Sequence, residues 1–156
     1  MFSPLQPRRL GVTALVAVGL GVAAPAIAQK SPNQAQAFAA VQAPEAAAEV
    51  CHSKSARSAL DCARKMCERK SARGACFVVT VCEPMGWSAL MGVQVSEVHF
   101  SKALCGAPSQ DALVTALKAY CQGHAGLRQC FVSHIWSPDG KQQTFQATWT
   151  PADLKK

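Results

Sequence analysis

CHSKSARSALDCARKMCERKSARGACFVV, residues 51–79, and CGAPSQDALVTALKAYCQGHAGLRQCFVS, residues 105–133, decide how this chain is read. Set against each other, Cys51, Cys67 and Cys76 fall on Cys105, Cys121 and Cys130 at one constant offset of 54 residues. The flanks agree. Cys76-Phe77-Val78 falls on Cys130-Phe131-Val132, Ser55 on Ser109, and Pro84 and Gly86 on Pro138 and Gly140. Self-similarity at a fixed period marks a repeated supersecondary unit. The expected units are residues 51–95 and 105–149. Two cysteines break the symmetry: Cys62 falls on Ala116, and Cys82 on Trp136.

Each unit reads as a helix followed by a hairpin. Ser109 is an N-cap and Asp111 puts a carboxylate in the first turn, where the helix dipole favours it. Leu113, Ala116, Leu117, Tyr120 and Cys121 then share one helix face. Gly123 suits a left-handed stop. In the first unit Ser55 caps, and Ala59, Ala63, Met66 and Cys67 form the matching stripe. Strands are expected over residues 75–82 and 129–136, rich in β-branched and aromatic residues. In the first of these, alternation puts Cys76, Val78, Thr80 and Cys82 on one face and Phe77, Val79 and Val81 on the other. Glu83-Pro84-Met85-Gly86 and Ser137-Pro138-Asp139-Gly140 read as tight turns. Residues 87–91 and 142–149 are the returning strands, and residues 98–104 add one more. The expected fold is α+β: a small antiparallel sheet with two helices on one face, built from two helix-hairpin repeats and stapled by disulfides.

Outside the repeats the chain is simpler. Arg8 and Arg9 precede an uncharged, largely apolar run over residues 10–24, followed by Pro25 and Ala26-Ile27-Ala28. That is the layout of an export signal, residues 1–28, cut after Ala28. The run is short for a retained span of ~20 residues, so no membrane anchor is expected after cleavage. Residues 29–50, dominated by Ala, Gln and Pro, read as a disordered spacer, and residues 51–152 as a single disulfide-rich domain. The signal holds two of the 16 basic residues and none of the 9 acidic ones, leaving the exported chain at +5.

All eight cysteines lie beyond the signal. An even count in a small exported chain reads as a disulfide framework in an oxidising compartment, periplasmic or secreted. A metal site would want closely spaced ligands, and the chain has no Cys-x-x-Cys. The repeat narrows the pairing. Cys67 ends a helix and Cys76 opens the next strand, and Cys121 and Cys130 do the same. Cys67–Cys76 and Cys121–Cys130 are therefore expected, each contributing roughly 2–3 kcal/mol by loop closure. For the rest, a helix antiparallel to its following strand favours Cys51–Cys82, leaving Cys62–Cys105. The competing pairing is Cys51–Cys62 with Cys82–Cys105.

No catalytic site and no cofactor motif is expected. Cys51-His52 is the only adjacent Cys-His pair, and an exported cysteine is normally oxidised rather than a thiolate. No His-Glu-x-x-His, Gly-x-Ser-x-Gly or phosphate-binding glycine loop occurs. The charge, however, is concentrated. Arg57, Arg64, Lys65, Arg69 and Lys70 crowd the first helix. One reading is a solvated face held by the pairs Asp61 with Lys65 and Arg64 with Glu68. The other is a patch for an anionic partner: an acidic envelope protein, lipopolysaccharide or another envelope polyanion. Nucleic acid is not expected for an exported chain. The function these features suggest is a non-enzymatic binding module, in its sharpest form an inhibitor or immunity-type protein. The alternative is a small cell-envelope hydrolase.

Gly86-Trp87-Ser88-Ala89-Leu90, His99-Phe100-Ser101, Ala116-Leu117-Lys118-Ala119-Tyr120-Cys121 and Cys130-Phe131-Val132-Ser133 together resemble a family of small secreted bacterial domains, the domain of unknown function forty-one eighty-nine. The likeness spans about residues 86–136, with the first unit as a degenerate second copy. It implies a secreted α+β domain and carries no activity or catalytic residue.

Overall fold

The computed structural model describes residues 37–43, 48–71 and 75–155. The expected signal lies outside them. The chain runs β1 (Ala37–Gln42), β2 (Ala48–Ser53), α1 (Ala56–Lys70), β3 (Phe77–Cys82), β4 (Trp87–Val95), β5 (Val98–Ala107), α2 (Gln110–Gln122), β6 (Leu127–Trp136), β7 (Gln142–Trp149) and a closing 3-10 turn (Asp153–Lys155). The class is α+β, but the strands form two antiparallel sheets rather than one. Their orders are β2-β1-β3 and β5-β4-β6-β7.

Side-chain alternation along β1 explains how the layers stack. Ala37, Ala39 and Val41 pack with Ala59, Ala63 and Cys67 of α1. Phe38 and Ala40 point the other way and pack with Met85, Ala103 and Trp136 of the second half. In β4, Ala89, Met91 and Val93 meet Leu113, Leu117 and Cys121 of α2. The layers are thus α1, first sheet, second sheet, α2. The helices occupy opposite outer faces, not one shared face as expected. The reason is β1: buried on both sides, it needs cover from α1 above and from the second sheet below.

That strand also corrects the spacer. Residues 37–43 are buried and residues 48–50 open β2. The spacer expectation rests on how little apolar surface alanine buries. Here short side chains are what let a helix and a second sheet close on β1 from both sides. The rest of the expected spacer, residues 29–36 and 44–47, lies outside the described residues.

Both helices start where expected. Ser55 accepts from Ser58 N and Ser109 from Ala112 N. Gly123 ends α2 with φ −73°, in the right-handed region, so the left-handed stop is not used there. The expected first hairpin does not form either. β4 does not fold back along β3 but crosses into the second sheet. The turn docks on β5, where Gly106 N donates to Met85 O. At Gly86, φ is +52° and a Cβ would lie 2.6 Å from Gly106 C, so the crossing needs glycine.

The two sheets share a path. In each, a hairpin leads to a helix, and the strand after the helix pairs on the hairpin's far side. The register matches as well. Phe38 faces Cys82 as Ser88 faces Trp136, Val41 faces Val78 as Met91 faces Val132, and Gln42 faces Phe77 as Gly92 faces Phe131. A register shift falls at the same place in both. In β3 it makes Val79 the extra residue, which overturns the simple alternation expected there. Val78 and Val81 oppose Val41 and Ala39 on the α1 side, while Phe77, Thr80 and Cys82 oppose Gln42, Ala40 and Phe38 on the inner side.

Four disulfides staple the stack. Cys67–Cys76 and Cys121–Cys130 link each helix end to the following strand, with Cα atoms 6.2 and 6.3 Å apart. The other bonds are Cys51–Cys62 and Cys82–Cys105, the competing pairing. Cys51–Cys82 fails because Ala39 of β1 lies beside Cys51 and Phe38 of β1 beside Cys82: β1 stands between β2 and β3. Cys62–Cys105 fails because α1 and the second sheet lie on opposite faces of the first sheet.

Candidate functional site

The basic patch resolves into two rows. Arg57, Arg64, Lys65, Arg69 and Lys70 are all exposed on α1. Their helix is held to its sheet by Ala59, Ala63 and Cys67, which turns the charged stripe outward. Ser58, Cys62, Lys65 and Arg69 lie along one flank, at i, i+4, i+7 and i+11. Because Cys62 bonds Cys51, that flank overlies β2. Arg57, Leu60, Arg64 and Cys67 run along the other. Cys67 bonds Cys76, just before β3, so this second row runs on the β3 side of α1.

Neither Asp61–Lys65 nor Arg64–Glu68 forms an ion pair. Lys70 instead reaches Glu49 on β2, Nζ to Oε1 2.8 Å. Glu49 is 5% exposed, so this lysine acts as a structural counter-ion and leaves the patch. Among the described residues, Arg57, Arg64, Lys65 and Arg69 have no carboxylate within ion-pair distance. These four cations share the outer face of α1 with exposed Asp61 and Glu68, which leaves that face net positive by 4 − 2 = 2 and attractive to anions.

The histidines are dispersed. His52 sits between the sheets, its ring 5.5 Å from both Phe38 and Trp136. Its Nε2 is buried without a hydrogen-bond partner, and burial holds the imidazole below its ordinary pKa. His124 stands edge-on to Tyr120 and Phe100. His134 bonds Ser133. Cys51, His52's neighbour, is a disulfide sulfur, so no thiolate is available there. Among the described residues no three His, Cys, Asp or Glu side chains converge as metal ligands.

No protein-family model, curated protein or solved structure matches this chain.

Sequence reasoning missed an open groove of about 650 Å³ on the second sheet, lined by Gly92, His99, Ser101 and Phe131, with Gln42 at its rim. By the shared register Gly92 matches Gln42, where β1 ends, while β4 continues to Val95, so among the described residues the β4–β5 hairpin extends past β1. The Phe131 ring lies across Gly92, where a Cβ would fall inside it, and is half exposed. Gln94 and Gln129 pair their amides two residues further along the strands. The signal that could have found it is Gly92 facing a phenylalanine, which needs the register to be seen. No helix among the described residues is long and apolar enough to cross a membrane. The four disulfides mark a protein of an oxidising compartment.

Proposed function

We propose that this chain is a periplasmic or secreted, non-enzymatic binding module whose recognition face is the outer surface of α1. The observation that carries the reading is the set of four cationic side chains, Arg57, Arg64, Lys65 and Arg69, exposed without ion-pair partners among the described residues on a helix fixed at both flanks by disulfides. A cross-linked helix presents its charges at little cost in ordering entropy, which favours binding. The partner is anionic, and an acidic envelope protein fits an inhibitor or immunity-type role. The shared path and register of the two sheets support reading the chain as two copies of one β-β-α-β unit, which redraws the expected helix-hairpin repeats.

The test is binding to polyglutamate followed by titration with salt. Affinity should fall at least tenfold between roughly 50 and 300 mM salt, since exposed charges are screened over ~10 Å. Arg57→Glu with Arg64→Glu should weaken it comparably. Binding indifferent to both treatments would leave α1 a solvated face and nothing more.

A further inference from the structure

β3 lies at the edge of the first sheet, paired only with β1 among the described residues. In the second sheet the strand on the same path, β6, is not an edge. β7 pairs along it, antiparallel, from Cys130 facing Trp149 to Trp136 facing Gln142. β7 has no counterpart in the first sheet because the chain after β3 crosses to begin β4. Among the described residues one strand position is therefore filled in one sheet and open in the other. The register shift in β3 does not close that position, since β6 is shifted at the same place and is paired nonetheless.

The open edge has an unusual composition. Phe77–Cys82 reads FVVTVC, six residues without a charge or a proline. Edge strands left unpaired are normally blunted by such residues, because bare N–H and C=O groups template further pairing. Phe77 is 50% exposed and Val78 40%. Arg57 and Arg64 stand on the flank of α1 nearer this edge.

From these we infer that the outer edge of β3 receives an extended strand from an acidic partner protein, added antiparallel as β7 is to β6. The inference rests on the anionic-partner reading and deepens it. Main-chain pairing supplies affinity, and side chains alternate between the two faces of the sheet. Residues of the added strand that face α1 lie about 4.8 Å beyond β3, on the side of α1 that carries Arg57 and Arg64. Carboxylates at those alternate places meet charge-assisted, bidentate donors. A second copy of this chain is the poorer occupant. β3 itself carries no carboxylate, and Glu83 next to it already accepts from Ala56 N.

The probe is a capped octapeptide alternating valine with glutamate, added to the isotope-labelled, fully oxidised exported chain. Amide signals of Val78, Val79, Thr80 and Val81 should shift, and their exchange should slow at least tenfold. A lysine-for-glutamate peptide, and one N-methylated at alternate residues, should each bind at least tenfold more weakly. Arg57→Glu with Arg64→Glu should reverse the preference toward the lysine peptide. Both arginines are exposed, so these variants keep the fold. Signals moving on α1 alone would overturn the strand inference and leave the anionic face standing. Silence toward both this peptide and polyglutamate would remove both. Equal binding of the N-methylated peptide, or dimerisation of the protein through β3 without peptide, would also overturn it.

Discussion

At single residues the fold depends on contacts that no periodicity reveals. Gly86 is the sharpest case: its positive φ and the Gly106 backbone leave no room for a Cβ. Gly86→Ala should cost about 2 kcal/mol or more in urea unfolding. Gly123→Ala, with φ −73° and nothing nearer than 3.4 Å, should stay within about 0.5 kcal/mol. A cost at position 123 matching that at 86 would refute the role given to the crossing turn. His52 supplies a pH dependence. Burial lowers its folded pKa below the unfolded value of 6.5. Between the two values the unfolded chain holds a proton that the native state refuses. Stability is therefore full above about pH 6.5 and declines as pH falls toward the folded value. His52→Phe keeps an aromatic ring among Phe38 and Trp136 without a titrating group. It should flatten the drop in Tm between pH 7 and 5 seen by thermal unfolding. An unchanged drop would place the dependence elsewhere. In sequence His52 was legible only as a neighbour of Cys51; its ring contacts come from strands 14 residues before and 84 after, at Phe38 and Trp136.

Elements were read well wherever the signal was local. The N-caps and the two helix-to-strand disulfides follow from spacing within about twenty residues and stand as expected. The helix stripes hold at Ala59, Ala63, Cys67, Leu113, Leu117 and Cys121, whereas Ala116 is exposed. Ser55→Ala and Ser109→Ala should each cost about 1 kcal/mol in chemical unfolding, with a loss below 0.3 kcal/mol arguing that the caps are redundant. What escaped was non-local. β1 was missed because its cover comes from both neighbouring layers, and a strand of alanine and one phenylalanine shows little by itself. The pairing of Cys51, Cys62, Cys82 and Cys105 depended on that missed strand: with β1 inserted between β2 and β3, only the observed bonds can close. The cationic candidates Arg57, Arg64, Lys65 and Arg69 were legible from charge alone. That Lys70 belongs to Glu49 was not, since Glu49 was assigned to the spacer.

Across the whole molecule the two outer layers are stabilised differently. α2 and the second sheet share Met91, Leu113, Leu117, Val132, Ile135 and Trp149, large side chains that each contribute roughly 1.5–3 kcal/mol when buried. α1 and the first sheet share Ala37, Ala39, Ala43, Ala59 and Ala63 with one valine, so their apolar contribution is far smaller. The covalent cross-links are distributed the opposite way. Cys51–Cys62 and Cys67–Cys76 lie wholly within the first half, Cys121–Cys130 within the second, and Cys82–Cys105 joins the sheets. A small alanine core needs staples where a leucine core does not. Reduction should therefore unfold the molecule unevenly. In mild reductant, amide protection should be lost first in β1, β2, α1 and β3, while β4, α2 and β6 retain theirs in hydrogen exchange followed by mass spectrometry. Breaking only the joining bond, with Cys82→Ala and Cys105→Ala together, should cost about 3 kcal/mol for its 23-residue loop yet leave both halves protected. If the two halves instead lose protection at one reductant concentration, the interface of Phe38, Met85 and Trp136 makes them a single cooperative unit, and the division of labour between alanine core and disulfides fails.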